Sequence, residues 1–271
     1  MNITFIGGGN MASAMIGGLI KQGLAPAALN IIEMAAGVRE QLESRFKVKT
    51  AATIDAASVR GDCVILAVKP QQMRDVARSL AGLLRDQLVI TIAAGIRVAD
   101  LSRWLGGYAR IVRVMPNTPA LALAGMSGLF AAPAASAADR KVAERILGAV
   151  GATVWFISEK DLDAVTAVSG SGPAYVFYFI EALERAACEL GLEKVAARRL
   201  ALETFAGAVK LVADSGEAPA TLRARVTSKG GTTERALLAL EADRVTDAIV
   251  RAVRSAAERS RELGDELGNG G

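Results

Sequence analysis

The sequence predicts an α/β fold, a doubly wound parallel sheet, followed by a domain built of helices alone. Three observations predict it. From Met1 to about Ile157 short β-branched runs alternate with amphipathic helical patterns; a turn of three glycines directly follows the first run; and beyond about Glu159 only helical patterns remain. Near-continuous apolar strands separated by crossover helices mean a parallel sheet covered on both faces. With 271 residues, 52% of them hydrophobic, the chain can fill two cores. The expected division is 1–158 and 159–271.

In chain order the strand patterns are ITFI, LNII, CVILAV, LVITIAA and ARIVRV, with helical patterns near 11–23, 35–46, 70–84, 98–105 and 137–149. The second half reads as helices over 173–190, 194–214, 218–226, 231–241 and 243–264, punctuated by SGSGPAY, LGLEK and DSGEAP. From Tyr175 to Ile180 six successive apolar or aromatic residues cover every direction of a helix. Such a helix needs cover on all sides, and in so small a domain a second copy of the chain is the expected source.

Composition removes several function classes. The net charge of +4 arises from 32 basic and 28 acidic residues with no like-charge run, so no nucleic-acid partner is expected. There is no histidine, the commonest acid–base group and metal ligand, and no metal site is expected. Cys63 and Cys188 lie in apolar stretches without ligand spacing, and both are expected to be buried spectators in a reducing compartment. The start MNITFIGGG has no signal-peptide pattern and no apolar run reaches spanning length; a cytoplasmic protein with no membrane partner is expected.

Gly7, Gly9 and Ala12 form G-x-G-x-x-A directly after a strand and at the opening of a helix. There the first glycine makes the tight turn, the second lets a pyrophosphate reach the backbone, and the alanine lets helix and strand pack closely, as in Rossmann-type dinucleotide sites. Glu33 ends the next strand pattern and is placed to accept a hydrogen bond from a ribose 2′-OH, which favours NAD. Arg39 can answer a 2′-phosphate instead, so NADP and NAD both stand. Later strand ends carry AVKP (Ala67, Val68, Lys69, Pro70), AAGI with Ala94 and Gly95, and RVMPNTP with Asn117, whose amide suits a nicotinamide. Lys69 either faces the cofactor or snorkels.

A second anion cradle stands far along the chain in VTSKGGTTERAL. Ser228, Thr232 and Thr233 bring hydroxyls, Gly230 and Gly231 bring open backbone, and a helix start follows. One cradle per anion means a second anionic ligand.

Taken together, FIGGGNMA, AVKP, RVMPNTP, DAVTAVSGSGPAYVF and VTSKGGTTERAL, in this order over essentially the whole chain, resemble pyrroline-5-carboxylate reductase. The resemblance implies a Rossmann domain followed by a dimerising helical domain, with homodimers often assembled into a ring. It implies hydride transfer from NADPH or NADH to a cyclic imine carboxylate, 1-pyrroline-5-carboxylate, giving L-proline. It also places the substrate at the TSKGGTT turn, with Thr227, Ser228, Gly230, Gly231, Thr232 and Thr233 as contacts and Thr233 as the partner of the ring nitrogen. Glu217 lies one position from a glutamate that some members use at the substrate. Ile6, Gly7, Gly8, Gly9, Asn10, Met11, Ala12, Ala67 to Pro70 and Asn117 fall on cofactor contacts. Lys229 stands where many members have proline. A protonated imine needs no metal and no strong general acid, so the missing histidine is compatible with this chemistry. A reductase of another cyclic imine and a non-enzymatic nucleotide-binding dimer are the alternatives. A β-hydroxyacid dehydrogenase is disfavoured because Pro173 to Leu190 contains no lysine.

Overall fold

A computed structural model describes residues 1–269. Its strands are β1 (Ile3–Ile6), β2 (Leu29–Ile32), β3 (Lys49–Ala51), β4 (Cys63–Leu66), β5 (Leu88–Thr91), β6 (Ile111–Met115), β7 (Gly125–Ala131) and β8 (Gly151–Trp155). They form one sheet in the order β3-β2-β1-β4-β5-β6-β7-β8. Pairing is parallel except between β6 and β7. Strand order reverses beside β1, and in such sheets ligands bind outside the carboxyl ends at that switch point.

The apolar runs divide by parity. Ile3, Phe5, Ile65 and Ile90 join Met15, Ile16 and Leu19 of α1 (Asn10–Lys21) and Leu42 of α2 (Ala36–Phe46) in one core. Ile6, Val64, Leu66 and Val89 join Met73, Ala77 and Leu80 of α3 (Met73–Leu80) and Leu101 of α4 (Val98–Trp104) in another. Alternate side chains of a strand leave on opposite faces, so an unbroken apolar run is what a sheet with two covered faces requires. Beside β6, Ser136 and Asp139 form a capping box on α5 (Ala137–Leu147), and the Arg110 guanidinium holds the Asp139 carboxyl below the usual range.

The sequence patterns did not anticipate β3, β7 or β8. β3 has three residues at the sheet edge. Gly125 of GMSGLFA and Gly151 at the start of β8 approach so closely that a Cβ on Gly151 would collide with the Gly125 carbonyl, and a Cβ on Gly128 would lie 2.7 Å from Val165. Glycines demanded by close backbone approach disguise a strand as a loop.

Contacts divide the chain into two units, Met1–Ser171 with the residues from Ala256 onward, and Gly172–Ser255. The division falls beyond 158 because α6 (Asp161–Val165) and the π-helical turn Thr166–Gly170 pack on the sheet: Val165 lies against Gly128, and Met115 against Gly170. The second unit contains α7 (Gly172–Glu189), α8 (Lys194–Ser215), α9 (Pro219–Arg225), α10 (Thr232–Ala242) and the first part of α11 (Val245–Asn269). Within α7 to α10 only Ala197 and Ala201 are buried. Val176, Phe177 and Tyr178 stand 43%, 58% and 70% exposed, which is the face that the all-round apolar run marks as needing cover.

The cysteines separate. Cys63 is buried in β4, where burial pushes its thiol far up and leaves it inert, whereas Cys188 is exposed on α7. The expectation of burial fails for Cys188 because an apolar neighbourhood in α7 is not a covered one. Among the described residues no helix is long and apolar enough to cross a membrane.

Candidate active site

Gly7 ends β1 at φ +100°, where a Cβ would lie 2.7 Å from the Ala67 carbonyl oxygen, so this position holds the turn itself. At Gly9 a Cβ would meet nothing within 4 Å. Gly9 is also the N-cap of α1 and supplies no side-chain cap. The first donor bonded along the helix is Ser13 N–H, to Gly9 O at 2.9 Å, so the N–H groups of Asn10, Met11 and Ala12 have no intrahelical acceptor. Three donors, a positive dipole end and an approach free of side chain make a phosphate cradle. It borders an open cavity of about 690 Å³ between α1 and α2. These residues fit a dinucleotide.

Glu33 follows β2. Its carboxylate accepts from Gly8 N–H and Ala35 N–H, both at 2.9 Å, and so stitches the glycine turn to the next loop. Arg39 folds back, donating to Glu33 O at 2.8 Å and Met34 O at 2.7 Å. Ala67 N–H bonds Ile6 O at 2.8 Å and fixes the Ala67–Pro70 loop against Gly7, with Lys69 exposed at its rim. Ala94 and Gly95 turn between β5 and α4 with Gly95 at φ +73°.

Asn117 is engaged within the protein. Its Nδ2 donates to Ser169 Oγ at 3.2 Å and Ser169 O at 3.3 Å, and its Oδ1 accepts from Met126 N–H at 2.9 Å. The amide expected to meet a nicotinamide ties the RVMPNTP turn to β7 and to the π-helical turn.

In the second unit the TSKGGTT turn repeats the first cradle in its cap. Gly231 is the N-cap of α10, again extended and again without a side-chain cap. Gly230 takes φ +74°, and a Cβ on Gly231 would sit 2.6 Å from Ser228 Oγ. Both glycine donors are internally bonded: Gly230 N–H to Glu234 Oε2 at 2.7 Å, and Gly231 N–H to Ser228 O at 3.0 Å. The glycines therefore shape the turn and do not present open N–H groups, contrary to the expectation from sequence. The first intrahelical bond is Arg235 N–H to Gly231 O at 3.2 Å, so the donors at the helix head are the N–H groups of Thr232, Thr233 and Glu234. Thr227 Oγ1 donates to Arg223 O at 2.6 Å, and Glu217 pairs with Arg225 at 2.6 Å, so both frame the turn. Among the described residues the hydroxyls of Ser228, Thr232 and Thr233 make no hydrogen bond, and Lys229 is exposed.

Residues 159–263 match the family described as pyrroline-5-carboxylate reductase dimerisation. Residues 2–95 match the family described as NADP oxidoreductase, coenzyme F420-dependent. The pyrroline-5-carboxylate reductase of Pseudomonas aeruginosa is 43% identical over 267 residues, covering 98% of each chain. The chain belongs to the pyrroline-5-carboxylate reductase family. Among solved structures, the pyrroline-5-carboxylate reductase of Coxiella burnetii superposes with a TM-score of 0.92 at 39% identity, covering 97% of this chain and 98% of the other. The pyrroline carboxylate reductase of Plasmodium falciparum, solved with NADP bound, gives 0.87 at 29% identity with the same coverage. Pyrroline-5-carboxylate reductase performs the last step of proline biosynthesis, an oxidoreductase step.

In this reductase the residue that sequence reasoning missed is Glu159. Its Oε1 accepts from Val98 N–H and from the buried Arg113 guanidinium, both at 2.8 Å. It thereby fixes the start of α4, beside the Gly95 turn, to β6. No spacing rule marks a lone acid after a sheet; only a buried arginine in the middle of an apolar strand, Arg113, hinted that a partner was needed.

Proposed function

We propose that this chain reduces 1-pyrroline-5-carboxylate to L-proline with hydride from NADPH or NADH, and that its two glycine-capped helix heads hold the two anions. The observation that carries the reading is the head of α10, where Ser228, Thr232 and Thr233, whose hydroxyls make no hydrogen bond among the described residues, accompany helix-terminal N–H groups. The α1 head, from Gly7 to Ala12, takes the pyrophosphate, with Ile6 behind it and Ala67–Pro70, Ala94 and Gly95 as the further cofactor loops. Glu33 faces the adenosine ribose, where a 2′-OH can donate to its carboxylate and a 2′-phosphate meets a like charge. The reduced nicotinamide supplies the hydride. Asn117 acts through the loops it joins.

At α10 the substrate carboxylate accepts from the Thr232 and Thr233 N–H groups and from the Ser228 and Thr232 hydroxyls, aided by the dipole. Thr233 Oγ1 accepts from the protonated imine N–H and fixes the ring face. The imine enters protonated, so the chain needs no general acid, and Glu217 and Thr227 hold the turn's shape. Purified protein is expected to consume NADPH or NADH only when 1-pyrroline-5-carboxylate is added, with proline as product by chromatography. Turnover confined to a six-membered cyclic imine would move the assignment to that ring, and binding of cofactor without turnover would remove the enzyme reading.

The working form in this reading is a homodimer formed through the helical region from 159 onward, built into a ring of dimers in the cytoplasm, with no nucleic-acid or membrane partner. The exposed Phe177 and Tyr178 on α7 support self-association. Phe177→Glu leaves protomer packing intact, because the ring is exposed, and is expected to give monomer mass by light scattering with unchanged helical circular dichroism. A variant that keeps the oligomer mass would remove this face from the interface.

A further inference from the structure

The C-terminal turns of α11 lie against the Gly95 turn and α4, all within the first unit. Leu267 Cδ1 would be 3.0 Å, and Leu263 Cβ 3.5 Å, from a Cβ placed on Gly95. Leu267 also packs on the core that includes Ile96 and Leu101. On the adjoining face, Gly264 and Gly268 leave room for side chains of α4 and its N-cap: the guanidinium of the N-cap Arg97 lies 3.0 Å from a Gly264 Cβ position, and Asp100 fills the space at Gly268. Arg97 pairs with Asp265 at 2.7 Å and donates to Arg261 O at 3.2 Å, while Arg103 donates to Gly268 O at 2.9 Å. One turn earlier, the buried Ser260 donates to Asp163 of α6 at 2.7 Å.

A glycine turn at positive φ is a soft element, and this one is held from two directions. Glu159 fixes the backbone at Val98 and the end of α11 covers Gly95 itself. The spacing of Leu263 with Leu267 and of Gly264 with Gly268 sets one apolar and one small-residue row along the same helix. We infer that the end of α11 is a brace that sets the Ala94–Gly95 turn in its cofactor-binding geometry, with Leu267 as the positioning residue. The inference rests on the reading of Ala94 and Gly95 as cofactor residues. The ion pair contributes little, because Arg97 and Asp265 are 39% and 62% exposed and screened by water; Leu267 carries the effect.

The test uses the full-length chain and three variants, Leu267→Ala, Leu267→Met and Asp265→Ala. Calorimetric titration with NADP and NAD measures Kd, steady-state rates separate the KM values of cofactor and imine, and hydrogen exchange follows a peptide over residues 92–98. Leu267→Ala is expected to raise the cofactor Kd roughly 5–10-fold, with the imine KM changed by less than about 2-fold, and to speed exchange at 92–98. Leu267→Met restores both, because its volume is similar, and Asp265→Ala stays within about 2-fold of the parent. A lowered Tm with unchanged Kd and unchanged exchange at 92–98 overturns the brace. Faster exchange with unchanged Kd overturns it differently: the brace then holds the turn, but Ala94 and Gly95 do not touch the cofactor.

Discussion

Gly9→Val is expected to fold like the parent and to lose NADP and NAD binding by at least about 100-fold, roughly 2.7 kcal/mol. The two halves of that expectation come from one observation. A Cβ on Gly9 meets nothing within 4 Å, so the valine costs the protein no packing, yet it occupies the approach to the Asn10, Met11 and Ala12 N–H groups. Gly7→Ala is the opposing control. Gly7 holds φ +100° with the Ala67 carbonyl 2.7 Å from its Cβ position, so there the same kind of change strains the turn and lowers Tm. Calorimetric titration and thermal melting of both variants check the pair. A Gly9→Val protein that binds cofactor with parental affinity removes the α1 head as the pyrophosphate cradle.

The glycine turn was legible in the sequence because its chemistry is backbone chemistry: Gly7 must have positive φ, and Ala12, 1% exposed, must be small where α1 crosses the sheet. The strands from β1 to β6, β3 apart, were legible for a similar reason, since a sheet covered on both faces leaves few polar positions, such as Thr4 and Arg113, to interrupt the run. Where close approach replaced side chains the signal reversed. Gly125, Gly128 and Gly151 make β7 and β8 possible and make them look like loops. Side-chain partners were the least legible. Nothing in RVMPNTP says that Asn117 bonds Ser169 and Met126, and nothing in SKGGTTE says that Glu234 reaches back to Gly230. Both are polar residues in a loop, where sequence cannot distinguish a group aimed at a ligand from one aimed at its own backbone. Cys188 failed for a further reason, because apolar neighbours along α7 do not bury a residue unless another element packs on it, and Cys188 is exposed.

The two helix heads differ in what accompanies the backbone donors. At α1 the first turn itself carries no charged side chain, and the carboxylate on Gly8 N–H, Glu33, comes from the end of β2, outside the helix. At α10 Glu234 places a carboxylate in the first turn, which neutralises part of that dipole, while hydroxyls crowd the approach. A head so adjusted suits a singly charged carboxylate next to a cationic nitrogen better than a doubly charged phosphate.

Thr233→Val tests that pairing most directly. The substitution keeps the side-chain shape and the backbone N–H that holds the substrate carboxylate, and it removes only the oxygen that accepts from the imine N–H. The expected result is a fall in kcat of about 100-fold with cofactor Kd unchanged and imine KM raised by less than about 3-fold. The pH dependence separates this role from a loss of packing. If Thr233 Oγ1 stabilises the proton that the imine brings in, the bound iminium loses that proton more readily in the variant, so the variant's rate recovers as pH falls, whereas the parent changes less over the same interval. Thr233→Ser should return most of the parental rate, because the oxygen is restored on a smaller side chain. Equal losses at every pH, or a serine variant as slow as the valine one, would assign Thr233 to the packing of the α10 head and leave the ring nitrogen to Ser228 or Thr232.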